Sequence, residues 1–131
     1  MSVLGLLVPA LIAVAPAQEA RRHFLAFFEW DSTTLSPEAA EIVDYAAEEM
    51  LKNPALKATL SGHTDRTGTT DYNIAKSQRM ADAVASYLVI RGVARERITV
   101  IALGDTRPRV EAGPDIREPL NRRVEIDLTG D

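Results

Sequence analysis

The chain has 131 residues, of which 46% are hydrophobic and 26% charged, as is typical of a globular domain. A net charge of −4 argues against nucleic acid as a partner, because nucleic-acid-binding proteins need a basic surface. The sequence contains no cysteine, which excludes disulfides, thiolate metal sites and a thiol nucleophile. It also excludes a lipid attached to an N-terminal cysteine, so we expect no covalent lipid anchor.

The N-terminal segment has the features of an export signal. Residues 3–14 form an apolar run that is shorter than the roughly 20 residues needed to span a membrane. Ala15-Pro16-Ala17 then supplies the pattern of small residues that signal peptidase cleaves. We therefore expect residues 1–17 to be a signal peptide and residues 18–131 to be one periplasmic domain. No lysine or arginine precedes the run, so an uncleaved anchor is the alternative.

The first half of the domain predicts two strands separated by a helix. Residues 23–30 are rich in aromatic side chains and predict the first strand. Ser36-Pro37-Glu38 predicts the start of a helix, with a hydroxyl cap, proline in the first turn and an acidic residue near the positive end of the dipole. Asn53-Pro54 ends that helix, and apolar residues alternate with polar ones over residues 56–62, which indicates the second strand.

The second half predicts another helix and two more strands. Thr69 is the expected cap of a helix that ends near Gly92. Residues 98–103 are apolar on both faces, which favours a strand in the middle of the sheet. After a long loop, residues 123–128 alternate and predict a last, half-exposed strand. The order β-α-β-α-β-loop-β predicts an α/β two-layer sandwich, with two helices on one face of a mixed sheet.

Polar residues gather where the second strand ends and the second helix begins, over residues 62–70. Open α/β sheets often bind ligands at such strand ends. Asp65 is the carboxylate at this position. It could accept a cationic group from a ligand or bond the backbone N–H groups of its own turn, and the spacing leaves both roles open. We find no motif for an enzyme, a cofactor or a metal, so none of these is predicted.

Several motifs, in order along residues 24–128, resemble the OmpA-like peptidoglycan-binding domain. The segment from Tyr72 to Val84 is especially similar to the peptidoglycan-associated lipoprotein branch of that family. The resemblance implies the OmpA-like fold in a free-standing version, located in the periplasm with an outer-membrane association as a further expectation. The motifs that carry it include Phe28-Glu29-Trp30-Asp31, Gly62-His63-Thr64-Asp65-Arg66-Thr67-Gly68, Gly104-Asp105-Thr106-Arg107-Pro108 and Asn121-Arg122-Arg123-Val124-Glu125.

The resemblance also implies a ligand. The family holds the diaminopimelate side chain of the peptide stem in uncross-linked peptidoglycan, without catalysis, and so links or organises the cell envelope. Asp65, in the Thr64-Asp65 pair, matches the carboxylate that meets the ammonium of the ligand. Asn73 matches the asparagine that opens the binding helix, and Trp30 and Asp31 match the loop that walls the pocket. An envelope protein is a further candidate partner.

One position departs from the family pattern. The pattern Ser-x-x-Arg-Ala supplies the guanidinium that binds the ligand, and Met80 occupies the arginine position here. Arg79 lies one residue early, which rotates it by about 100° around the helix. Arg79, and Arg122 or Arg123 from the last strand, are therefore candidate substitute cations. We expect Met80 itself at the edge of the packed helix face.

Two functions are compatible with this departure. Loss of one charge-assisted hydrogen bond would weaken binding by about tenfold to several hundredfold. The first prediction is therefore a peptidoglycan-binding domain with weakened affinity. The alternative is an OmpA-like structural or protein-interaction module that has lost peptidoglycan binding.

Overall fold

The computed structural model describes residues 22–130. The strands are β1 (His23–Phe27), β2 (Lys57–His63), β3 (Ile98–Gly104) and β4 (Arg123–Thr129), and the helices are α1 (Pro37–Lys52) and α2 (Thr70–Ile90). Two short 3₁₀ helices, Arg95–Arg97 and Pro119–Asn121, precede β3 and β4. The predicted signal peptide lies outside the described residues. Within residues 22–130, no helix combines the length and the apolar character needed to cross a membrane.

The four strands form one mixed sheet in the order β1-β4-β2-β3. β4 is antiparallel to both of its neighbours, and β2 runs parallel to β3. Leu60 at the centre of β2 is paired with Ile126 of β4 and with Val100 of β3. The core lies between this sheet and the two helices, and it includes the buried residues Val43, Met50, Leu60, Val84, Leu88, Val124 and Ile126. The predicted α/β arrangement is confirmed.

The strand order corrects one sequence-based expectation, the central position of β3. β3 is an edge strand and not a central one, and Ile101 on it is 41% exposed. β4 is central, and its two faces alternate as predicted: Val124 and Ile126 are buried, whereas Glu125 and Asp127 are partly exposed. The physical reason is the connection: the β2-α2-β3 crossover places β3 beside β2, and β4 then enters between β1 and β2. Apolar character on both faces of β3 thus did not indicate a central position.

The helix termini follow the predicted chemistry. The Ser36 hydroxyl accepts a hydrogen bond from the Ala39 amide at 3.1 Å, which caps α1. The Thr69 hydroxyl accepts one from the Tyr72 amide at 3.2 Å, which caps α2. At the other end of α2, Gly92 adopts a φ of 108°, in the left-handed region where glycine is favoured.

A close contact fixes α2 above the ends of β2 and β3. A Cβ atom on Gly62 would lie 2.2 Å from the carbonyl oxygen of Ser77, so this approach requires glycine. The Ser77 hydroxyl also accepts a hydrogen bond from the Gly104 amide at 2.9 Å. The N-terminal half of α2 is therefore held at the end of the sheet where β2 gives way to residues 64–69.

Candidate functional site

The first two residues of the turn after β2 are buried rather than solvated. Asp65 is only 2% exposed, and Thr64 beside it is also buried. The Thr64 amide donates to the carbonyl of Gly104 at 2.8 Å, and its hydroxyl donates to the carbonyl of Asp65 at 2.9 Å. These bonds hold the turn against the end of β3 and place the Asp65 carboxylate beneath α2.

Each oxygen of the Asp65 carboxylate accepts two hydrogen bonds. Oδ1 accepts from the Thr67 amide at 3.2 Å and from the Thr67 hydroxyl at 2.6 Å. Oδ2 accepts from the Glu118 amide at 3.2 Å and from Nη1 of Arg122 at 3.0 Å. Asp65 therefore does bond the backbone of its own turn, and it also forms a buried ion pair with an arginine from the far end of the chain.

The strand geometry explains why Arg122, and not Arg123, reaches Asp65. Arg122 precedes β4 and lies on the helix side of the sheet, where its Nε also donates to the Phe28 carbonyl at 3.1 Å. Arg123 is the next residue, so its side chain points to the opposite face. There its Nη2 lies 2.7 Å from Oε2 of Glu125. The structure does not bring Arg123 to this site.

The ion pair and the turn keep Asp65 ionised. Burial alone would raise the pKa of Asp65, but the hydrogen bonds from Thr67 and Arg122 outweigh it and hold that pKa below the ordinary value of 3.8. The site therefore contains a buried carboxylate that is charged at neutral pH.

On α2, Met80 is not at the edge of the packed face but is buried in it, with 1% exposure. Met80 and Ser77 are three residues apart and share one helix face, and the contact of Ser77 with Gly62 draws that face onto the sheet. The Met80 side chain thus lines the site without a charge or a hydrogen-bond donor. Arg79 is exposed to solvent, and it does not line the site.

The cation that does lie on this face of α2 is Lys76, which the sequence reasoning missed. It is 5% exposed, and its Nζ donates to Oδ1 of Asp31 at 3.1 Å. The same Nζ lies 5.9 Å from the ring centroid of Trp30 and 5.8 Å from that of Tyr72, within range of cation–π attraction. The signal in the sequence was the spacing, because Lys76 precedes Met80 by four residues and shares its face.

The turn after β1 forms the outer wall of the site. Nε1 of Trp30 donates to the Thr67 hydroxyl at 3.3 Å, and the Arg117 guanidinium stacks 3.4 Å from the centroid of the Trp30 ring. Asp31 adopts a φ of 56°, in the left-handed region, and its carboxylate faces Lys76. The hydrogen bond and the charge of Lys76 lower the pKa of Asp31 below its usual value of 3.8.

Asn73 supports the turn from the first part of α2. Its Nδ2 donates to the carbonyl of Asp65 at 3.4 Å and to Oδ2 of Asp105 at 3.3 Å. Its Oδ1 is buried without a hydrogen-bond partner in the described part of the chain. The structure thus places Asn73 behind the Asp65 backbone and not beside the Asp65 carboxylate.

The site is closed in this structure. Its lining residues pack so tightly that no space for a water molecule remains between them; they are Phe28, Glu29, Ser32, Thr64, Asp65, Lys76, Met80 and Arg122. A larger cleft of about 720 Å³ lies between β1 and α1 and shares Phe28, Glu29 and Arg122 with the closed site. Across residues 22–130, no group of three or more His, Asp or Glu side chains is arranged to hold a metal ion.

Comparison with known protein families identifies the family to which this chain belongs. The sequence model of the OmpA family matches residues 27–122, which include all of the residues that line the site. The chain belongs to the OmpA family. The resemblance inferred from the motifs is thereby confirmed.

Proteins of the cell envelope are among its relatives. The chain is 39% identical over 100 residues to the peptidoglycan-associated lipoprotein of Pseudomonas aeruginosa, covering 76% of this chain and 59% of the relative. It is 35% identical over 108 residues to that of Legionella pneumophila, covering 82% and 61%. The chain thus spans about three fifths of the length of these relatives. They agree with the predicted periplasmic, outer-membrane-associated location.

The fold agrees with a solved relative. The structure of the peptidoglycan-associated lipoprotein from Burkholderia pseudomallei superimposes with a TM-score of 0.75 at 25% sequence identity. The match covers 84% of this chain and 92% of that one. The four-stranded mixed sheet with two helices is therefore the OmpA-like fold.

Proposed function

We propose that this OmpA-family domain binds the diaminopimelate-containing peptide stem of peptidoglycan at the Asp65 site, and that it thereby links or organises the cell envelope. The observation that carries the proposal is the buried, ionised carboxylate of Asp65 in the turn that the family resemblance assigns to the ligand ammonium. The relatives named peptidoglycan-associated lipoproteins support the same ligand class.

The charges at the site suit a ligand that carries both an ammonium and a carboxylate. Asp65 and Asp31 supply two carboxylates, and Arg122 and Lys76 supply two cations. A zwitterionic group leaves this balance unchanged, whereas a ligand with a net charge would leave one buried charge unpaired. Binding requires the closed wall to move, because the lining residues leave no free space.

The proposed activity is binding without catalysis. The Thr64 hydroxyl donates to the carbonyl of Asp65, and the Ser77 hydroxyl donates to that of Ile74. The Thr67 hydroxyl donates to Oδ1 of Asp65 at 2.6 Å, but the lowered pKa of Asp65 makes this carboxylate a weak base for activating a nucleophile.

A second candidate function is an interaction module that has lost its ligand. Two observations favour it: the acceptor positions of Asp65 are filled by the protein itself, and Met80 presents no charge where the family pattern has arginine. In that case the Asp65–Arg122 ion pair would stabilise the fold and bind no ligand.

Retention on purified sacculi that contain diaminopimelate tests the proposal. We expect the wild-type protein to sediment with sacculi, and Asp65→Asn to lose most of that retention. Asp82→Asn is the matched control, because Asp82 is an exposed carboxylate on α2 that accepts a hydrogen bond from Gln78. Circular dichroism verifies that each variant is folded at the assay temperature. Retention of Met80→Arg without retention of the wild type would contradict the proposal and support the second candidate.

A further inference from the structure

Lys76 is an unusual residue for a packed helix face. Lysine is rarely buried unless its ammonium is paired, because burial removes the charge from water. Lys76 is 5% exposed, and Asp31 is the partner to which its Nζ donates. The ring centroids of Trp30 and Tyr72 lie 5.9 and 5.8 Å from the ammonium. The result is a cation held in a fixed position beside Met80 and Asp65.

The partner of Lys76 is much more exposed, although the Tyr72 hydroxyl also donates to its Oδ1 at 3.3 Å. The Asp31 side chain is 52% exposed, whereas that of Lys76 is 7% exposed. Asp31 sits in a short turn closed by a hydrogen bond from the Ser32 amide to the Glu29 carbonyl at 3.1 Å. One member of the pair is therefore built into the helix face, and the other approaches it from solvent. Another carboxylate that arrives from solvent can take the place of Asp31 without moving α2.

We propose that Lys76 is the cation that binds the carboxylate of the ligand side chain, one helical turn before Met80, and that Asp31 holds this place until the ligand replaces it. This inference rests on the proposed function, since it names the residue that binds the carboxylate of the diaminopimelate side chain. The family pattern supplies this contact from the position of Met80, which carries no charge here.

The proposal predicts a specific selectivity. Lysine and diaminopimelate both end their side chains in an ammonium, but only diaminopimelate carries a carboxylate on the same carbon. Asp65 would attract both side chains through the ammonium. Lys76 would favour diaminopimelate alone, through a charge-assisted bond that lysine cannot form. With a lysine-type stem Asp31 would stay paired with Lys76, so that stem would gain no bond at this position.

Two synthetic stem tripeptides that differ only in this carboxylate provide the test. Their dissociation constants for the intact protein are measured by isothermal titration calorimetry, with diaminopimelate or lysine at the third position. For wild type we expect about 10- to 100-fold tighter binding of the diaminopimelate peptide. For Lys76→Met we expect the two peptides to bind within about threefold of each other. Lys52→Met is the matched control, because Lys52 is an exposed lysine on α1 and should leave the ratio unchanged.

The outcomes separate this inference from the function on which it rests. If wild type binds neither peptide, the proposed function fails. If wild type prefers diaminopimelate and Lys76→Met keeps that preference, the function stands and the role of Lys76 is refuted. A purely structural role for Lys76 would weaken both peptides equally and leave their ratio intact, which also refutes it. A second readout uses wild type alone: the ¹⁵Nζ resonance of Lys76 should move with the diaminopimelate peptide, and an unmoved resonance at saturation would overturn the proposal.

Discussion

Arg122 and Asp65 form a pair that is sequestered from water, with 11% and 2% exposure of their side chains. Breaking such a pair by removing one partner leaves the other charge buried and unpaired, at a cost of about 3–5 kcal/mol. We therefore expect Asp65→Asn to lower the free energy of unfolding by about 3 kcal/mol, since the amide keeps some of the hydrogen bonds. Urea denaturation of wild type and Asp65→Asn measures this difference in the free energy of unfolding. A change below about 1 kcal/mol, like that expected for the exposed Asp82→Asn, would show that the pair contributes little to stability.

His63 introduces a pH dependence of stability on the other face of the sheet. It is buried, and burial together with the neighbouring Arg123 guanidinium lowers the pKa of His63 from 6.5 to about 4, although Glu125 partly opposes the shift. The folded state thus favours the neutral ring. The unfolded chain binds a proton first as the pH falls through 6.5, so stability is lost progressively between pH 6.5 and pH 4.

We expect the His63 effect to reach about 3 kcal/mol at pH 4 relative to pH 7. The free energy of unfolding of His63→Gln, measured by urea denaturation at several pH values, should depend less steeply on pH in this range. His23→Gln is the control, because it removes an exposed histidine from β1. Equal pH dependence in wild type and His63→Gln would contradict the assignment.

At the scale of single residues, the sequence located the turn and its carboxylate and named Arg122 among three candidate cations, but it did not indicate Lys76. Asp65 follows a recognisable strand and precedes a recognisable helix, so its position depends on local signals. Its partner Arg122 is 57 residues away, and the choice between Arg122 and Arg123 depends on which face of β4 is inside. Lys76 was overlooked because burial of a lysine depends on Asp31, Trp30 and Tyr72 together.

At the scale of elements, the contact between β2 and α2 determines where the site lies. Gly62 allows the Ser77 carbonyl to approach the strand, and this contact brings Ser77 and Met80 onto the sheet. We expect Gly62→Ala to lower the free energy of unfolding by about 3 kcal/mol, because the added methyl would overlap backbone atoms that cannot move independently. Gly113→Ala is the matched control, because its added methyl would make only an ordinary contact, 3.8 Å from Ile116. Thermal or urea unfolding compares the two, and equal stabilities would refute a tight contact.

The elements themselves were largely predictable. Both helices begin at the capping hydroxyls identified from the sequence, and α2 ends next to the predicted Gly92, because caps are local signals. The first strand was predicted to run to residue 30 and ends at Phe27, since the chain turns at Trp30 and Asp31. The position of β3 in the sheet was predicted incorrectly. Periodicity reports the two faces of a strand but not its two edges, and the edges decide which strand is central.

At the scale of the whole molecule, the site joins segments from across the domain. The turn after β1, the turn after β2, the face of α2 and the segment around Arg122 all contribute lining residues. A ligand that binds there should therefore stabilise the domain as a unit. We expect the diaminopimelate peptide at 100 times its dissociation constant to add about 2.7 kcal/mol to the free energy of unfolding. Adding the peptide should raise the melting temperature of wild type and leave that of Asp65→Asn unchanged. A rise in both proteins would show that the peptide binds elsewhere.

We expect the stem peptide to bind at the Asp65 site and not elsewhere on the domain. The most direct test is an NMR titration of the ¹⁵N-labelled domain with the diaminopimelate tripeptide. We predict saturable shifts concentrated in Trp30, Asp31, Thr64, Asp65, Thr67 and Lys76, and none of comparable size on the open face of the sheet around Thr59, Ser61 and Glu125. An unchanged spectrum at millimolar peptide, or shifts confined to the open face, would contradict the claim.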